Sequence, residues 1–128
     1  MWQYQVEGNV FSSMSRFGVE DSEKTVKIVF GCHDKRIYCF EMSETGANLC
    51  WRSELDSPIY ATPFCYRSGD HIRMCVATTS GSIYVIGTDG AIVESCTMQA
   101  DVFSSPVVVR STAVFGCRNN YLYAMSVP

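Results

Sequence analysis

The chain has 128 residues, of which 47% are hydrophobic and 18% are charged, and its net charge is -3. This composition can bury a core, which excludes wholesale disorder, and the acidic balance excludes a nucleic-acid partner held by a basic face. No apolar run approaches the roughly 20 residues of a membrane-spanning helix, and the first ten residues lack the features of a secretory signal. We expect one small cytoplasmic domain with neither nucleic acid nor membrane as a partner.

Three landmarks recur in the same order along the chain, and they predict an internal repeat. The first is an aromatic residue followed by two small ones, in FSSM (11–14), YATP (60–63) and FSSP (103–106). The second is the run VFGCHDKRIYCF (29–40), matched by CVATTSGSIYVI (75–86) and VFGCRNNYLYAM (114–125). The third is a glycine followed five residues later by Trp51 or by Ser95, and Trp2 precedes Phe11 as Trp51 precedes Tyr60.

The apolar runs between these landmarks predict antiparallel strands. The runs before the central turns are KTVKIVFG, IRMCVAT and STAVFGC. The turns themselves are HDKR, TSGS and RNN, and the strands that follow them are IYCFEM, IYVIG and LYAMSV. ETGAN and TDGA then turn into the last strands, LCWRSEL and IVESCTM, while GVEDSEKT (18–25) is predicted to be an exposed loop. Four strands in about 40–50 residues are typical of one blade of a β-propeller.

The predicted fold class is therefore all-β, with four-stranded antiparallel blades of a propeller that is incomplete at about three blades. Residues 1–6 are interpreted as the last strand of a preceding blade, 7–55 and 56–99 as two full repeats, and 100–128 as a truncated third repeat. Closed propellers have at least about four blades, so the chain is expected to be a piece of a longer propeller. In isolation it should associate, aggregate or be marginally stable, because its end blades lack neighbours.

Nearly the whole chain resembles the repeat of the pyrroloquinoline-quinone (PQQ)-like propellers, through its glycine, turn, (Ile/Leu)-Tyr, tryptophan and aromatic-small-small-Pro corner. The resemblance implies that the tryptophan and the corner lock neighbouring blades together, whereas Ser95 and Met14 depart from the pattern. Three tyrosines at one repeat position are predicted to pack between blades rather than to stack on a sugar or base. The predicted blade-docking residues are Trp2, Trp51, Phe11, Tyr60, Pro63, Phe103, Pro106, Tyr38, Tyr84 and Tyr123.

Among PQQ-like propellers, a cysteine-rich chain without a secretory signal is similar to the C-terminal propeller of the animal beta-alanine-activating enzymes. These enzymes belong to the acyl-CoA synthetase family and are also called aminoadipate-semialdehyde dehydrogenases. That resemblance implies a parent with an adenylate-forming domain and a phosphopantetheine carrier, whose motifs do not occur in this chain. We interpret the chain as a non-catalytic scaffold or interaction module without a cofactor, partnered by the rest of the parent or by another protein. The alternative is part of a PQQ-dependent alcohol or sugar dehydrogenase, which would require a calcium site, an aspartate base and often a Cys-Cys pair.

No catalytic, cofactor-binding or metal-binding residue is predicted. Asp34, Lys35 and Arg36 share a tight turn and are expected to be solvated. The neighbours Asp70 and His71 either point to opposite faces of a strand or lie in a loop without a catalytic partner. Zinc held with the help of the chain's two histidines, His33 and His71, is the less favoured interpretation of the cysteines, because none are spaced as CxxC. The favoured interpretation is small buried apolar residues in a reducing compartment, because most of the seven cysteines lie in apolar runs; they stand at positions 32, 39, 50, 65, 75, 96 and 117.

Overall fold

The fold is known from a computed structural model that describes residues 1–18 and 25–128. It contains three antiparallel sheets, and no helix occurs in the described ranges. The first sheet has the order β1 (Ser15–Phe17), β2 (Thr25–Gly31), β3 (Arg36–Ser43), β4 (Gly46–Glu54). The second has the order β5 (Phe64–Ser68), β6 (His71–Ala77), β7 (Ser82–Gly87), β8 (Ile92–Thr97), and the third has β9 (Val107–Val109), β10 (Thr112–Gly116) and β11 (Leu122–Ser126).

The two four-stranded sheets and the three-stranded sheet confirm the predicted antiparallel blades. Each is a meander in which consecutive strands pair with their neighbours, and we call them blades 1, 2 and 3. The loop predicted at 18–25 falls on residues 19–24, which lie outside the described residues. In the described part of the chain no helix has the length and hydropathy that crossing a membrane requires.

The central hairpin of every blade turns through the same backbone conformation. Lys35, Gly81 and Asn120 occupy one repeat position, and their φ angles are 70°, 91° and 68°. Only glycine adopts this left-handed region without steric cost, so the lysine and the asparagine carry some strain. The turn geometry is therefore kept in all three repeats although the residue changes.

The core consists of layers between blades. Successive strand residues point to opposite faces, so Val29, Ile37 and Cys39 of blade 1 pack on Met74 and Val76 of blade 2. The opposite face of blade 2 packs on blade 3, through Cys75, Ala77, Ile83, Val85, Ala113 and Phe115. The sheets are thus stacked face to face, as the repeat predicted.

The first residues of the chain differ from the prediction. Residues 1–6 were interpreted as a strand, but the structure assigns them none, because no described strand lies beside them to form a ladder. They cover the outer face of blade 1 instead. The rings of Trp2 and Tyr4 meet Phe40 edge-on, at centroid distances of 5.4 and 4.9 Å.

The strand register also corrects one assignment. Trp51 pairs with Cys39 and Glu94 pairs with Val85, at equivalent positions beside a bulge in each blade. Glu94, rather than Ser95, therefore occupies the tryptophan position of blade 2. Counting five residues from the glycine was misleading because Gly46 and Gly90 lie at different places in two turns of different length.

Candidate functional site

The three aromatic-small-small segments lie side by side and form one continuous surface, which we call the corner face (residues 11–14, 60–63 and 103–106). Phe11 and Tyr60 stack with centroids 4.7 Å apart and planes 12° apart, and Tyr60 meets Phe103 at 5.2 Å. Phe11 and Phe103 remain 55% and 38% exposed. The aromatic row therefore joins all three blades and still leaves apolar surface exposed.

A row of hydroxyl groups runs beside the aromatic row. The backbone N–H of Ser13 donates to Oγ1 of Thr62 at 3.0 Å, and the N–H of Thr62 donates to Oγ of Ser105 at 2.9 Å. Pro63 and Pro106, which follow Thr62 and Ser105 in the chain, are buried. Each blade thus satisfies a backbone donor of the blade before it, which fixes their relative position.

In blades 1 and 3 the residue after the aromatic one in the corner segment hydrogen-bonds to its own blade. Oγ of Ser12 accepts the N–H of Gly31 at 2.9 Å and donates to its carbonyl at 3.0 Å. Ser104 makes the same two hydrogen bonds to Gly116, at 2.8 and 2.9 Å. Blade 2 replaces both partners with buried alanines, at positions 61 and 77. The hydrogen-bonded Ser–Gly pair of blades 1 and 3 is therefore replaced in blade 2 by an apolar Ala–Ala pair.

Two side chains from the central hairpins flank the corner face. The imidazole of His33 meets the rings of Phe11 and Tyr60 edge-on, at 6.1 and 5.5 Å. The guanidinium carbon of Arg118 lies 5.0 Å from the centroid of Phe103, in cation–π contact. Between them is an open groove of about 390 Å³ lined by His33, Pro58, Tyr60, Thr79, Ser80, Asp101 and Phe103.

Trp51 lies at the junction of blades 1 and 2 and is half-buried. Its Nε1–H donates to the carbonyl of Thr88 at 2.8 Å, and Ser53 donates to the carbonyl of Gly90 at 2.7 Å. A Cβ at Gly90 would lie 2.8 Å from the indole ring, and the φ of that residue is +84°. The β7–β8 turn therefore needs glycine to approach the indole.

Two of the three repeat-equivalent tyrosines make hydrogen bonds through their hydroxyl groups. Tyr38 donates to Oδ2 of Asp34 at 2.5 Å, and Tyr123 accepts a hydrogen bond from Nδ2 of Asn119 at 2.7 Å. Tyr38 is buried on the outer face of blade 1, under the first residues of the chain, whereas the partly buried Tyr84 and Tyr123 pack against the layers between blades. Burial, followed by the hydrogen bond to Asp34, raises the pKa of Tyr38 to about 12.

The expectation that Asp34 is solvated was wrong, because its side chain is only 5% exposed. Besides Tyr38, it accepts the N–H of Arg36 at 3.0 Å, while the Arg36 guanidinium bonds Glu7 at 2.7 Å. Burial acts to raise the pKa of Asp34, but the hydrogen bonds from Tyr38 and Arg36 outweigh it, and the pKa is lowered. This carboxylate therefore organises the first hairpin.

Asp56 has the corresponding role at the second hairpin and was missed from the sequence. It accepts hydrogen bonds from Ser82 and from Ser80, the latter at 2.8 Å. Burial opposes ionisation, yet hydrogen bonds led by that of Ser82 lower the pKa of Asp56. The available signal was an acidic residue five positions after each tryptophan, since Glu7 follows Trp2 as Asp56 follows Trp51.

The seven cysteines are all free thiols, and Cys50 alone among them is exposed. Burial raises the pKa of Cys39 and Cys75 to about 12 and that of Cys65 to about 11. Cys117, one of the repeat-equivalent thiols, is partly buried, and its pKa is raised by the same cause. Within residues 1–18 and 25–128 no three side chains of His, Cys, Asp or Glu are grouped to hold a metal ion.

Of the two interpretations of Asp70 and His71, the structure favours the loop for Asp70. Asp70 lies in the turn after Gly69, not on a strand, and both residues line one pocket at the outer end of blade 2. The alternation of side chains that applies along a strand does not apply to a turn residue. No hydrogen bond joins the two side chains in the described contacts.

Comparison with known proteins confirms the resemblance to the beta-alanine-activating enzymes. The chain is 36% identical over 105 residues to the enzyme of Homo sapiens and 38% identical to that of Mus musculus, covering 79% of this chain in each case. Its match to the enzyme of Drosophila melanogaster covers 97% of the chain at 30% identity. The chain spans only 9% to 13% of the length of these homologues. No family model matches it.

Solved structures confirm the fold. A crystal structure of BamB from Moraxella catarrhalis, a β-propeller protein, matches 98% of this chain with a TM-score of 0.68 at 22% identity. The match covers 37% of the BamB chain. A crystal structure of BBS1N in complex with ARL6DN matches 91% of this chain and 40% of its own, with a TM-score of 0.59 at 11% identity. The three sheets are blades of a β-propeller.

Proposed function

We propose that this homologue of a segment of the beta-alanine-activating enzymes is a PQQ-like propeller module that acts as a non-catalytic scaffold. Its partner is the catalytic part of such an enzyme, which forms an adenylate of beta-alanine or a similar amino acid and passes it to a phosphopantetheine carrier in the cytoplasm. The name of the relatives gives beta-alanine as the substrate. The chain matches only a small share of their length, which supports a module separate from the catalytic part.

The corner face is the observation that carries this proposal. Its hydroxyl groups bond backbone atoms of the same or the preceding blade, as expected of a rigid support. Its exposed rings, Phe11 and Phe103, are bordered by Arg118, and aromatic residues with arginine are enriched where proteins bind one another. We therefore place the contact with the catalytic part on this face.

The chemistry of the titratable groups supports a non-catalytic role. The pKa values of Asp34 and Asp56 are lowered, so each is a weak base, and both already accept several hydrogen bonds. The thiols of Cys39 and Cys75 are buried with raised pKa values, which disfavours the nucleophilic thiolate. These groups stabilise the blades and are unsuited to act on a substrate.

The proposal is tested by mixing the protein with a recombinant catalytic part of a beta-alanine-activating enzyme. We expect a complex by sedimentation or calorimetry, and no beta-alanine-dependent ATP–pyrophosphate exchange from the propeller alone. Arg118→Ala should weaken the complex by about tenfold, as an interfacial arginine does. The matched control, Arg67→Ala, removes an exposed arginine of β5 that is not part of the corner face, and should leave the affinity unchanged.

Exchange activity in the propeller alone, or equal effects of the two arginine substitutions, would contradict the proposal. Added pyrroloquinoline quinone and Ca²⁺ should leave the absorbance spectrum of the protein unchanged. A stoichiometric spectral shift would favour the quinone-dependent dehydrogenase instead.

A further inference from the structure

A second surface feature lies at the outer end of blade 2, away from the corner face. The β5–β6 turn and the β7–β8 turn enclose an open pocket of about 380 Å³, within the range of about 300–1,000 Å³ usual for small-molecule sites. Its lining includes Asp70, His71, Arg73, Gly87 and Asp89. None of these residues takes part in the blade contacts described above.

Arg73 is the unusual residue of this pocket. Its Nε–H is buried and has no hydrogen-bond acceptor among the residues that the structure describes. A buried donor without an acceptor destabilises the fold, and more so when the group is charged. The atom has no solvent contact in this structure, so the Arg73 side chain must turn for a ligand oxygen in the pocket to reach this N–H and relieve that cost.

Comparison of the blades indicates which group Arg73 lacks. In blade 1 the corresponding residue, Lys27, lies directly opposite Glu41 on the ladder between β2 and β3. In blade 2 Arg73 lies opposite Gly87. The repeat therefore keeps the cation and loses the carboxylate, and the space that its side chain would have filled is part of the pocket.

The rim of the pocket carries the opposite charge. Asp70 and Asp89 both line it, whereas the ion pairs in the described part of the chain are those of Arg36. Oδ1 of Asp89 accepts the N–H of Ala91 at 3.1 Å, which leaves its second oxygen available. A simple anion would meet these carboxylates, and a simple cation would meet Arg73, so a ligand with both charges fits best.

We propose that this pocket binds a small zwitterionic amino acid, with its carboxylate on the Nε–H of Arg73 and its ammonium group between Asp70 and Asp89. The inference stands on the pocket alone and does not depend on the scaffold role. Thr88 belongs to the same turn as Asp89 and accepts the Trp51 hydrogen bond, so occupancy should reach the junction between blades 1 and 2.

The experiment follows the Nε–H resonance of Arg73 by ¹⁵N NMR while ligands are added to the protein. Glycine and beta-alanine are the zwitterionic probes, and propionate and ethylamine each carry one of the two charged groups. We expect saturable shifts with a zwitterion, and affinity at least about tenfold weaker for either single-charge probe. Trp51 fluorescence should change over the same concentration range.

Three variants separate the site from general effects. Arg73→Gln should abolish binding, and Arg67→Gln on the neighbouring strand should not. Gly87→Glu introduces the residue type that blade 1 has at this position, so the new carboxylate should pair with Arg73 and abolish binding of the probes. The new Cβ would lie 2.9 Å from Oδ1 of Asp89, the end of a flexible side chain, so the fold should tolerate it.

The proposal is overturned if no probe shifts the Arg73 resonance at concentrations up to about 50 mM, where even weak sites fill. It is also overturned if propionate binds as well as the zwitterions, or if Gly87→Glu binds them like the unsubstituted protein. The resonance of the unsubstituted protein decides the question even if Arg73→Gln fails to fold.

Discussion

Replacing Ser12 with alanine should destabilise the protein far more than the same change at two other corner serines. The Ser12 side chain is 7% exposed and bonds both backbone groups of Gly31, which is itself buried. Alanine would leave that N–H and that carbonyl without their partner. At about 1–3 kcal/mol for each unsatisfied buried group, moderated by relaxation, we expect a loss of about 2–3 kcal/mol.

Ser104 makes the same two bonds to Gly116 in a more exposed setting, where water can replace the hydroxyl. Ser104→Ala should therefore cost about 1 kcal/mol or less. Ser13 is exposed, and only its backbone N–H takes part in the hydroxyl row, so Ser13→Ala should change stability by less than about 0.5 kcal/mol.

Urea unfolding followed by tryptophan fluorescence measures the series. With a urea dependence of about 1–3 kcal/mol per molar, Ser12→Ala should lower the midpoint by about 0.7–3 M. Equal shifts for all three variants would refute the reasoning, because burial of the orphaned backbone groups would then not decide the cost.

Other expectations concern the junction of blades 1 and 2, Asp56 at the central hairpin of blade 2, and the thiols. Trp51→Ala should cost about 3 kcal/mol by urea unfolding, while Trp51→Phe, which keeps a ring but loses the bond to Thr88, should cost about 1 kcal/mol. Because the folded pKa of Asp56 is lowered, its stabilisation is present above the ordinary aspartate pKa of about 4 and is lost as pH falls through the folded value. Asp56→Asn should therefore flatten the fall in melting temperature below about pH 4, and an unchanged profile would contradict this. Cys50 should react at once with a thiol reagent in the folded protein, and the buried thiols only on unfolding; rapid reaction of Cys75 would show that its burial is transient.

The blades could be predicted from the sequence because each repeat carries the same local signals. Apolar runs of strand length end at turns whose left-handed position is Lys35, Gly81 or Asn120, and the aromatic corner recurs between them. Local propensity and long-range packing agree at these positions, so a pattern read along the chain already contains the fold.

The contacts made by Asp34 and Asp56 could not be predicted in the same way. A carboxylate in a turn is solvated unless another segment covers it, and the covering groups are Tyr38 on the return strand and the serines beside Asp56. Glu94 was missed for a related reason: Gly46 is the first residue of β4, whereas Gly90 lies in the turn before β8, so counts from the two glycines differ by one residue. Such shifts depend on hydrogen bonds between strands, which sequence spacing does not record.

The hydroxyl row of the corner face has a consequence for how such molecules evolve. In each joint the earlier blade donates a backbone N–H and the later blade accepts it on a serine or threonine oxygen, at 3.0 Å in one joint and 2.9 Å in the next. Any single unit therefore carries a backbone donor on one side and a hydroxyl acceptor on the other, and can join to any other unit of the series. Gene duplication or loss of a whole unit leaves every remaining joint chemically complete, so the number of units can drift while the joint itself is under selection.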